Sequence, residues 1–281
     1  VPACGAVLNA INMRLEVDTV QFILGHGGAK VLLADAAVLD VAEAACALLE
    51  TPPVLIEVPD LQAGLPASGK HTTYEQLLAE GDPAFDWIMP ADEWESIALN
   101  YTSGTTGRPK GVVCHHRGAY LSTLSQPISW RMTLFPRYLT IVPMFHCNAW
   151  CHPWMLPALG GAMICLRDVT AAGIYDAIAD EGATHLGGAP IVLQTIIHAK
   201  DAERKPFDHI VRVFTAGAPP PAATLAAIEP LGFDVTQVYG LTETYGPATE
   251  CLWHDGFDHL TGDDRADIKA RTGVAMPFME G

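Results

Sequence analysis

The chain has 281 residues, 49% of them hydrophobic, enough to bury a core in one large domain or two modest ones. A formal net charge of -16 repels phosphate backbones and anionic lipid, which argues against nucleic acid or a membrane surface as partner but leaves room for locally built anion sites. Seven cysteines, an odd number with no CxxC pair, argue against a disulfide framework and for a reducing, cytoplasmic setting, and no stretch reaches the ~20 apolar residues of a membrane span.

In chain order, Val31–Ala34 predicts a buried strand, and Ala36–Leu49 a helix with Val38, Val41, Ala45 and Leu48 on one face. Val54–Val58 is the next strand. Thr72 followed by Glu75 predicts a capping box opening a short helix through Leu78. Gly81–Glu95, with two prolines and five acidic residues, reads as a surface connection. Ile97–Tyr101 is a strand that runs into a glycine-rich loop, and Gly111–Cys114 a strand returning from it. Further β-then-α units follow as Leu139–Val142, Ala162–Leu166 with Tyr175–Ala179, His185–Leu186 with Ile191–His198, and Val211–Thr215 with Ala222–Ile228. Asp234–Tyr239 is the last clear strand, and the polar tail from Asp255 onward is poorly patterned. This alternation predicts an α/β fold of largely parallel sheets flanked by helices, with ligands bound beyond the strand C-termini.

The loop Tyr101-Thr102-Ser103-Gly104-Thr105-Thr106-Gly107-Arg108-Pro109-Lys110-Gly111 is the most informative segment. Gly104 and Gly107 let the backbone approach an anion closely. Four hydroxyls donate to phosphate oxygens and Lys110 adds a point charge. No GK[ST] closes the loop, so it is not a Walker A motif. The alternative, a surface loop rich in turn residues, leaves the concentration of hydroxyls directly after an apolar strand unexplained.

This loop resembles the signature loop of the adenylate-forming superfamily, which includes acyl-CoA synthetases, peptide-synthetase adenylation domains and luciferases. Thr215-Ala216-Gly217-Ala218-Pro219-Pro220 is similar to that family's adenine-site turn, and Val238-Tyr239-Gly240-Leu241-Thr242-Glu243-Thr244 to its second nucleotide motif. Pro143-Met144-Phe145-His146-Cys147-Asn148-Ala149-Trp150-Cys151 resembles the acyl-site segment of the fatty-acyl and short-chain acyl-CoA synthetase branch, as do Val7–Arg14 and Tyr245–Thr249.

The resemblance implies an incomplete ATP-binding domain over 1–281, with the start of the large domain and the whole small C-terminal domain absent. It implies ATP, Mg²⁺ and CoA as ligands, a small carboxylic acid as the other substrate, and a homodimer as one assembly. Thr102 and Glu243 would hold Mg²⁺, an oxygen-preferring cation. Ser103, Gly104, Thr105, Thr106, Gly107 and Lys110 would wrap the β- and γ-phosphates. Tyr239 would stack on adenine in a pocket that Gly217, Ala218, Pro219, Gln237, Val238 and Gly240 also line, and Thr242 would contact the α-phosphate. His146 would stand near the reacting carboxylate and Trp150 would gate the acyl site. Lys110, His146, Thr242 and Glu243 form the expected catalytic set.

Apart from the resemblance, Glu243 serves equally as a helix cap, Thr102 as a backbone partner, Tyr239 as a core residue with a wet hydroxyl, and Trp150 as plain wall. His146, Cys147, Cys151 and His152 also crowd seven residues, a spacing that fits only half of a structural zinc site. Thr261-Gly262-Asp263 copies a ribose-binding TGD motif but lies too near the Thr-Glu segment to be the family's own. Loading of a carrier-protein thiol, or nucleotide binding without catalysis, are the rival functions.

Overall fold

The structure, a computed structural model, describes residues 1–102 and 108–279 apart from the side chain at position 263. The chain divides into two compact units, Val1–Val113 and Cys114–Gly281.

In the first unit, helix α1 (Val17–His26) turns Val20, Ile23 and Leu24 inward, the i, i+3, i+4 spacing of one helical face. Strand β1 (Val31–Asp35) pairs in parallel with β2 (Val54–Val58), Val31 opposite Val54, and β3 (Thr72–Thr73) extends the sheet beyond β2. Between β1 and β2 runs α2 (Leu39–Ala47), which buries Leu39, Ala42, Ala45 and Cys46. The expected face is therefore rotated: of Val38, Val41, Ala45 and Leu48 only Ala45 is fully inward, and Leu48 is 58% exposed. The cause is a tight 3₁₀ turn at Ala36–Val38, capped by Asp35, which delays the α-helix to Leu39.

Nor is β1 buried on both faces. Leu32 and Ala34 pack beneath α2, while Val31 and Leu33 on the other face are 55% and 44% exposed. The capping box also lies one residue later than expected. Thr72 is still paired with Ile56 in the sheet, so Thr73 caps α3 (Tyr74–Ala79) and Gln76 closes the box. A separate two-stranded sheet joins β4 (Ser96–Thr102) and β5 (Lys110–His115).

The second unit is built on a seven-stranded sheet in the order β12-β11-β10-β9-β8-β6-β7. The strands β6 (Arg137–Thr140), β7 (Ala162–Cys165), β8 (His185–Gly188), β9 (Val211–Thr215) and β10 (Phe233–Leu241) are parallel. Each crossover carries a helix: α6 (His152–Ala158), α7 (Ala171–Ala179), α8 (Pro190–Ile197) and α9 (Ala222–Ile228). Helices α7, α8 and α9 cover a face made by Leu139, Leu186, Val213 and Val235. The opposite face carries Tyr138, Phe214 and Val238, packed against Trp130, Met155 and Leu156, with the Trp130 and Phe214 rings stacked 3.6 Å apart.

The sheet is largely parallel, as expected, and becomes mixed at one edge, where β11 (Gly246–Glu250) and β12 (Val274–Ala275) add antiparallel strands beyond β10. A register shift between Tyr239 and Gly240 lets β11 pair so closely that a Cβ on Gly240 would lie 1.9 Å from the Gly246 carbonyl oxygen. At the next pairing, a Cβ on Gly273 would lie 1.7 Å from the Glu250 carbonyl oxygen. The polar tail is ordered by charge. Helix α10 (Gly262–Lys269) begins after Thr261, within the TGD copy, and its buried Lys269 pairs with Glu229 and Asp234.

Candidate functional site

Strands β6, β8, β9 and β10 are adjacent and parallel, so their C-terminal ends open on one edge of the sheet. Gln237 is opposite Thr215, which brings Gly217 and Tyr239, each two residues further on, out over neighbouring strands. Gly217 takes the left-handed φ of +93° with open space around it, Ala218 and Pro219 are exposed, and the Tyr239 ring is 47% exposed. This edge therefore presents a glycine turn and an accessible aromatic face side by side. Gln237 and Val238 are different. Both residues are buried whole, 3% and 0% exposed, so they stand behind the accessible edge rather than on it. Gly240 stands at the bulge, where its lack of a side chain admits β11.

Beyond β10 the turn Thr242–Thr244 leaves Thr242 half-buried and Glu243 exposed, with no ion-pair partner for Glu243 among the described residues. An unpaired carboxylate at a ligand-facing turn fits a hard divalent cation.

After β6 comes the segment with the most unusual backbone among the described residues. Cys147, Asn148, Ala149, Trp150 and Cys151 all have positive φ, between 47° and 65°, forming a left-handed turn, α5 (Cys147–Trp150). Left-handed helical geometry costs non-glycine residues roughly 1–2 kcal/mol each, so this turn must be held from outside. The ties come from three directions. Gln126 on α4 (His116–Ser129) donates to the Trp150 carbonyl at 2.7 Å. Cys147 Sγ lies 3.6 Å from the Leu241 carbonyl oxygen and 3.7 Å from Thr242 Oγ1. The Tyr245 hydroxyl donates to Asn148 Oδ1 at 2.8 Å and accepts from Trp154 Nε1 at 3.2 Å.

His146 begins this turn, exposed and tilted against Phe145, and partial burial lowers its pKa so that the imidazole is neutral at pH 7. Trp150 packs inward over β8. A Cβ built on Gly187 would meet Tyr138 Oη at 2.7 Å and Trp150 Cζ3 at 3.0 Å, so the phenol and the indole converge above a residue with no side chain. Beneath them His152 is fully buried, its ring 4.3 Å from Tyr138 and 5.3 Å from Trp130.

The cysteines and histidines of this stretch thus turn to different partners. Cys147 faces Thr242, Cys151 Sγ lies 3.4 Å from the Tyr245 carbonyl oxygen, and His152 enters an aromatic nest. Burial raises both thiols above their ordinary value, Cys151 the more strongly.

In the first unit, Thr102 ends β4 and Lys110 begins β5 with its side chain exposed. Ser103, Gly104, Thr105, Thr106 and Gly107 lie outside the described residues. The loop's entry is braced by the Tyr101 hydroxyl, 2.8 Å from His26 Nδ1, and its exit by the Arg108 guanidinium 5.6 Å above the Phe22 ring.

Gln126, Asn148, Gly187 and Tyr245 escape sequence reasoning. Asn148 and Tyr245 sit inside recognised segments, yet their bond joins residues 97 positions apart, which no local pattern encodes.

Two plant enzymes are similar over the whole chain. "Acetate/butyrate--CoA ligase AAE7, peroxisomal" of Arabidopsis thaliana and "Acetate--CoA ligase CCL3" of Humulus lupulus are each 45% identical across 100% of the chain and 52% of their own length. The chain therefore spans about half the length of these curated relatives. Among solved structures, the inhibitor-bound N-terminal domain of FACL13 from Mycobacterium tuberculosis superposes with a TM-score of 0.76 at 26% identity, covering 98% of this chain and 64% of that one. The model of the AMP-binding enzyme family matches residues 1–280. With its nucleotide-type turns on one sheet edge and a family match from end to end, the chain belongs to the AMP-binding enzyme family.

Proposed function

We propose that the chain forms the nucleotide- and acid-binding part of an acyl-CoA synthetase, which joins a short carboxylic acid to the α-phosphate of ATP and then passes the acyl group to CoA. In the first step the carboxylate oxygen attacks the α-phosphorus, pyrophosphate leaves, and acyl-adenylate forms. In the second the CoA thiol displaces AMP.

The observation that carries the proposal is the contact between the two segments this chemistry must join. The acyl-type segment lies against the nucleotide-type turn, Cys147 Sγ 3.7 Å from Thr242 Oγ1, with His146 exposed next to it. Such a reaction asks the protein for positioning and charge compensation rather than a nucleophile. In this reading Tyr239 stacks on the base beside Gly217, Ala218 and Pro219, with Gly240 next to it and buried Gln237 and Val238 supporting the pocket from behind. Thr242 contacts the α-phosphate, and the loop from Ser103 to Gly107 with Lys110 receives the remaining phosphates. Thr102 and Glu243 are the oxygen donors that would hold Mg²⁺, which supplies charge neutralisation when bound. Neutral His146 orients the carboxylate.

The packing of Trp150 over Gly187 supports an acid of few carbons, in keeping with the acetate and butyrate in the relatives' names. Seven free cysteines suit a reducing compartment such as the cytoplasm, although AAE7 is named as peroxisomal. Among the described residues no helix is long and apolar enough to cross a membrane. A homodimer is the assembly we propose.

The test is carboxylate-dependent exchange of pyrophosphate into ATP, with acetate, propionate and butyrate in the panel. Exchange that depends on Thr242 and Glu243 supports the proposal. ATP binding with no carboxylate-dependent exchange favours the second reading, a nucleotide-binding module without turnover.

A further inference from the structure

We propose that Asn148 and Tyr245 are positioning residues, a buried latch that fixes the acyl-type segment to the nucleotide-type turn so that the two substrates are held in one relation. The proposal rests on the acyl-activating function given above. Neither residue can touch a ligand, since Asn148 is 1% and Tyr245 4% exposed, so any effect they have on binding must pass through their neighbours.

The geometry makes that transmission specific. Asn148 is the second of five successive left-handed residues between His146 and His152, a conformation that local sequence does not favour and that adjacent structure must impose. Within the turn the main chain contributes bonds such as Ala149 N to the His146 carbonyl at 2.9 Å and Cys151 N to the Ala149 carbonyl. The amide of Asn148 ties the segment to its surroundings: Nδ2 donates to the Met144 carbonyl at 3.3 Å, and Oδ1 accepts the Tyr245 hydroxyl at 2.8 Å.

Tyr245 is itself left-handed, with φ 55°, and directly follows the Thr242–Thr244 turn, whose Thr242 carbonyl accepts its backbone N–H at 3.0 Å. A single phenol thus joins two strained turns, one carrying His146 and Trp150 and the other Thr242 and Glu243. Trp154 Nε1 completes the hydroxyl's bonding from α6 and holds the ring in place. If the latch opens, each turn keeps its own fold but loses its register with the other. A ligand that bridges both sites should therefore suffer, and a ligand that uses one should not.

Tyr245→Phe removes the hydroxyl and keeps the ring, and Asn148→Ala removes the acceptor. Calorimetry on the chain would compare ATP, AMP and propionyl-sulfamoyl-adenosine, a stable mimic of a short acyl-adenylate that spans both sites. Each single variant should weaken the mimic about tenfold and ATP less than twofold, and the double variant should lose no more than Asn148→Ala alone, because the bond between the two residues is removed once. Equal weakening of mimic and ATP, an unchanged mimic affinity, or a double variant that loses about a hundredfold would each overturn the latch. A mimic bound no better than AMP by the unsubstituted chain would instead refute the acyl-activating function itself. Should the variants fail to fold, amide exchange on the unsubstituted chain decides. The mimic must raise protection over 146–151 and 241–246 together, and protection of one segment alone would overturn the latch.

Discussion

At the scale of single residues, two buried histidines set a pH dependence. Burial pushes His152 down to about 3, reinforced by nearby His185, and pushes His185 down to about 4, reinforced by nearby Arg212. Unfolding releases both to the ordinary value of about 6.5, where they bind protons that the folded state refuses. The unfolded chain therefore holds more protons between those values, and stability falls as pH drops from 7 toward 4. Each histidine should contribute a loss of roughly 2 kcal/mol by pH 5. Glu250 works in the opposite sense, because burial raises its pKa and its stabilisation is lost as pH rises. Urea titrations at pH 5 and pH 7 check the balance, and equal stability at both would show that the histidines are solvated. Lys110, exposed and unpaired among the described residues, has a sharper expectation. Lys110→Ala should weaken ATP binding by roughly 1.5–3 kcal/mol, as expected for a charge-assisted contact. Unchanged affinity in calorimetry would remove Lys110 from the site.

At the scale of elements, the left-handed turn α5 separates two kinds of alanine. Ala149→Gly loses a buried methyl but releases left-handed strain, whereas Ala177→Gly in right-handed α7 loses a buried methyl and gains only chain entropy in the unfolded state. The first substitution should be milder by about 1–2 kcal/mol, and equal midpoints in urea would refute the strain. The same turn carries Trp150, whose indole fills the space over Gly187. For the proposed acyl-CoA synthetase, Trp150→Ala should shift preference to longer acids by about 0.8 kcal/mol, roughly fourfold, per added methylene. An unchanged chain-length profile would reduce Trp150 to wall.

Much of this level was legible. β2, β9 and α9 fall on the residues that the apolar runs mark, because their inward side chains are aliphatic. Helix α4 was not legible, because the side chains it buries are Ser122, Thr123, Ser125, Gln126 and Ser129 alongside a lone Ala119, and a helix that buries its polar face has no hydrophobic period to detect. The site divides in the same way. Motif residues such as Thr242, Glu243 and His146 could be named in advance, while Asn148 and Tyr245 act through a pairing that exists only after folding.

At the scale of the whole molecule, the first unit's parallel sheet leaves part of an apolar face open, around buried Ile56. Val31, Leu33 and Val54 are 55%, 44% and 61% exposed on neighbouring strands. A row of aliphatic side chains on a sheet surface favours association, so this chain should bind a hydrophobic dye and sediment with concentration-dependent mass. Replacing Leu33 and Val54 with threonine should reduce both signals, and dye binding unchanged by those substitutions would place the sticky surface elsewhere. The second unit closes differently, with its last strands seated against bare glycine backbone. Gly240 and Gly273 each face a carbonyl oxygen closer than any Cβ can approach. Backbone cannot swing aside as a side chain does, so no mutation at either codon has a neutral outcome. In a saturation library selected for folded protein, both positions should return glycine alone, while Gly217, Gly64 and Gly69, which have open space around them, tolerate asparagine. The antiparallel edge of this sheet thus has little freedom to drift in sequence at these two positions.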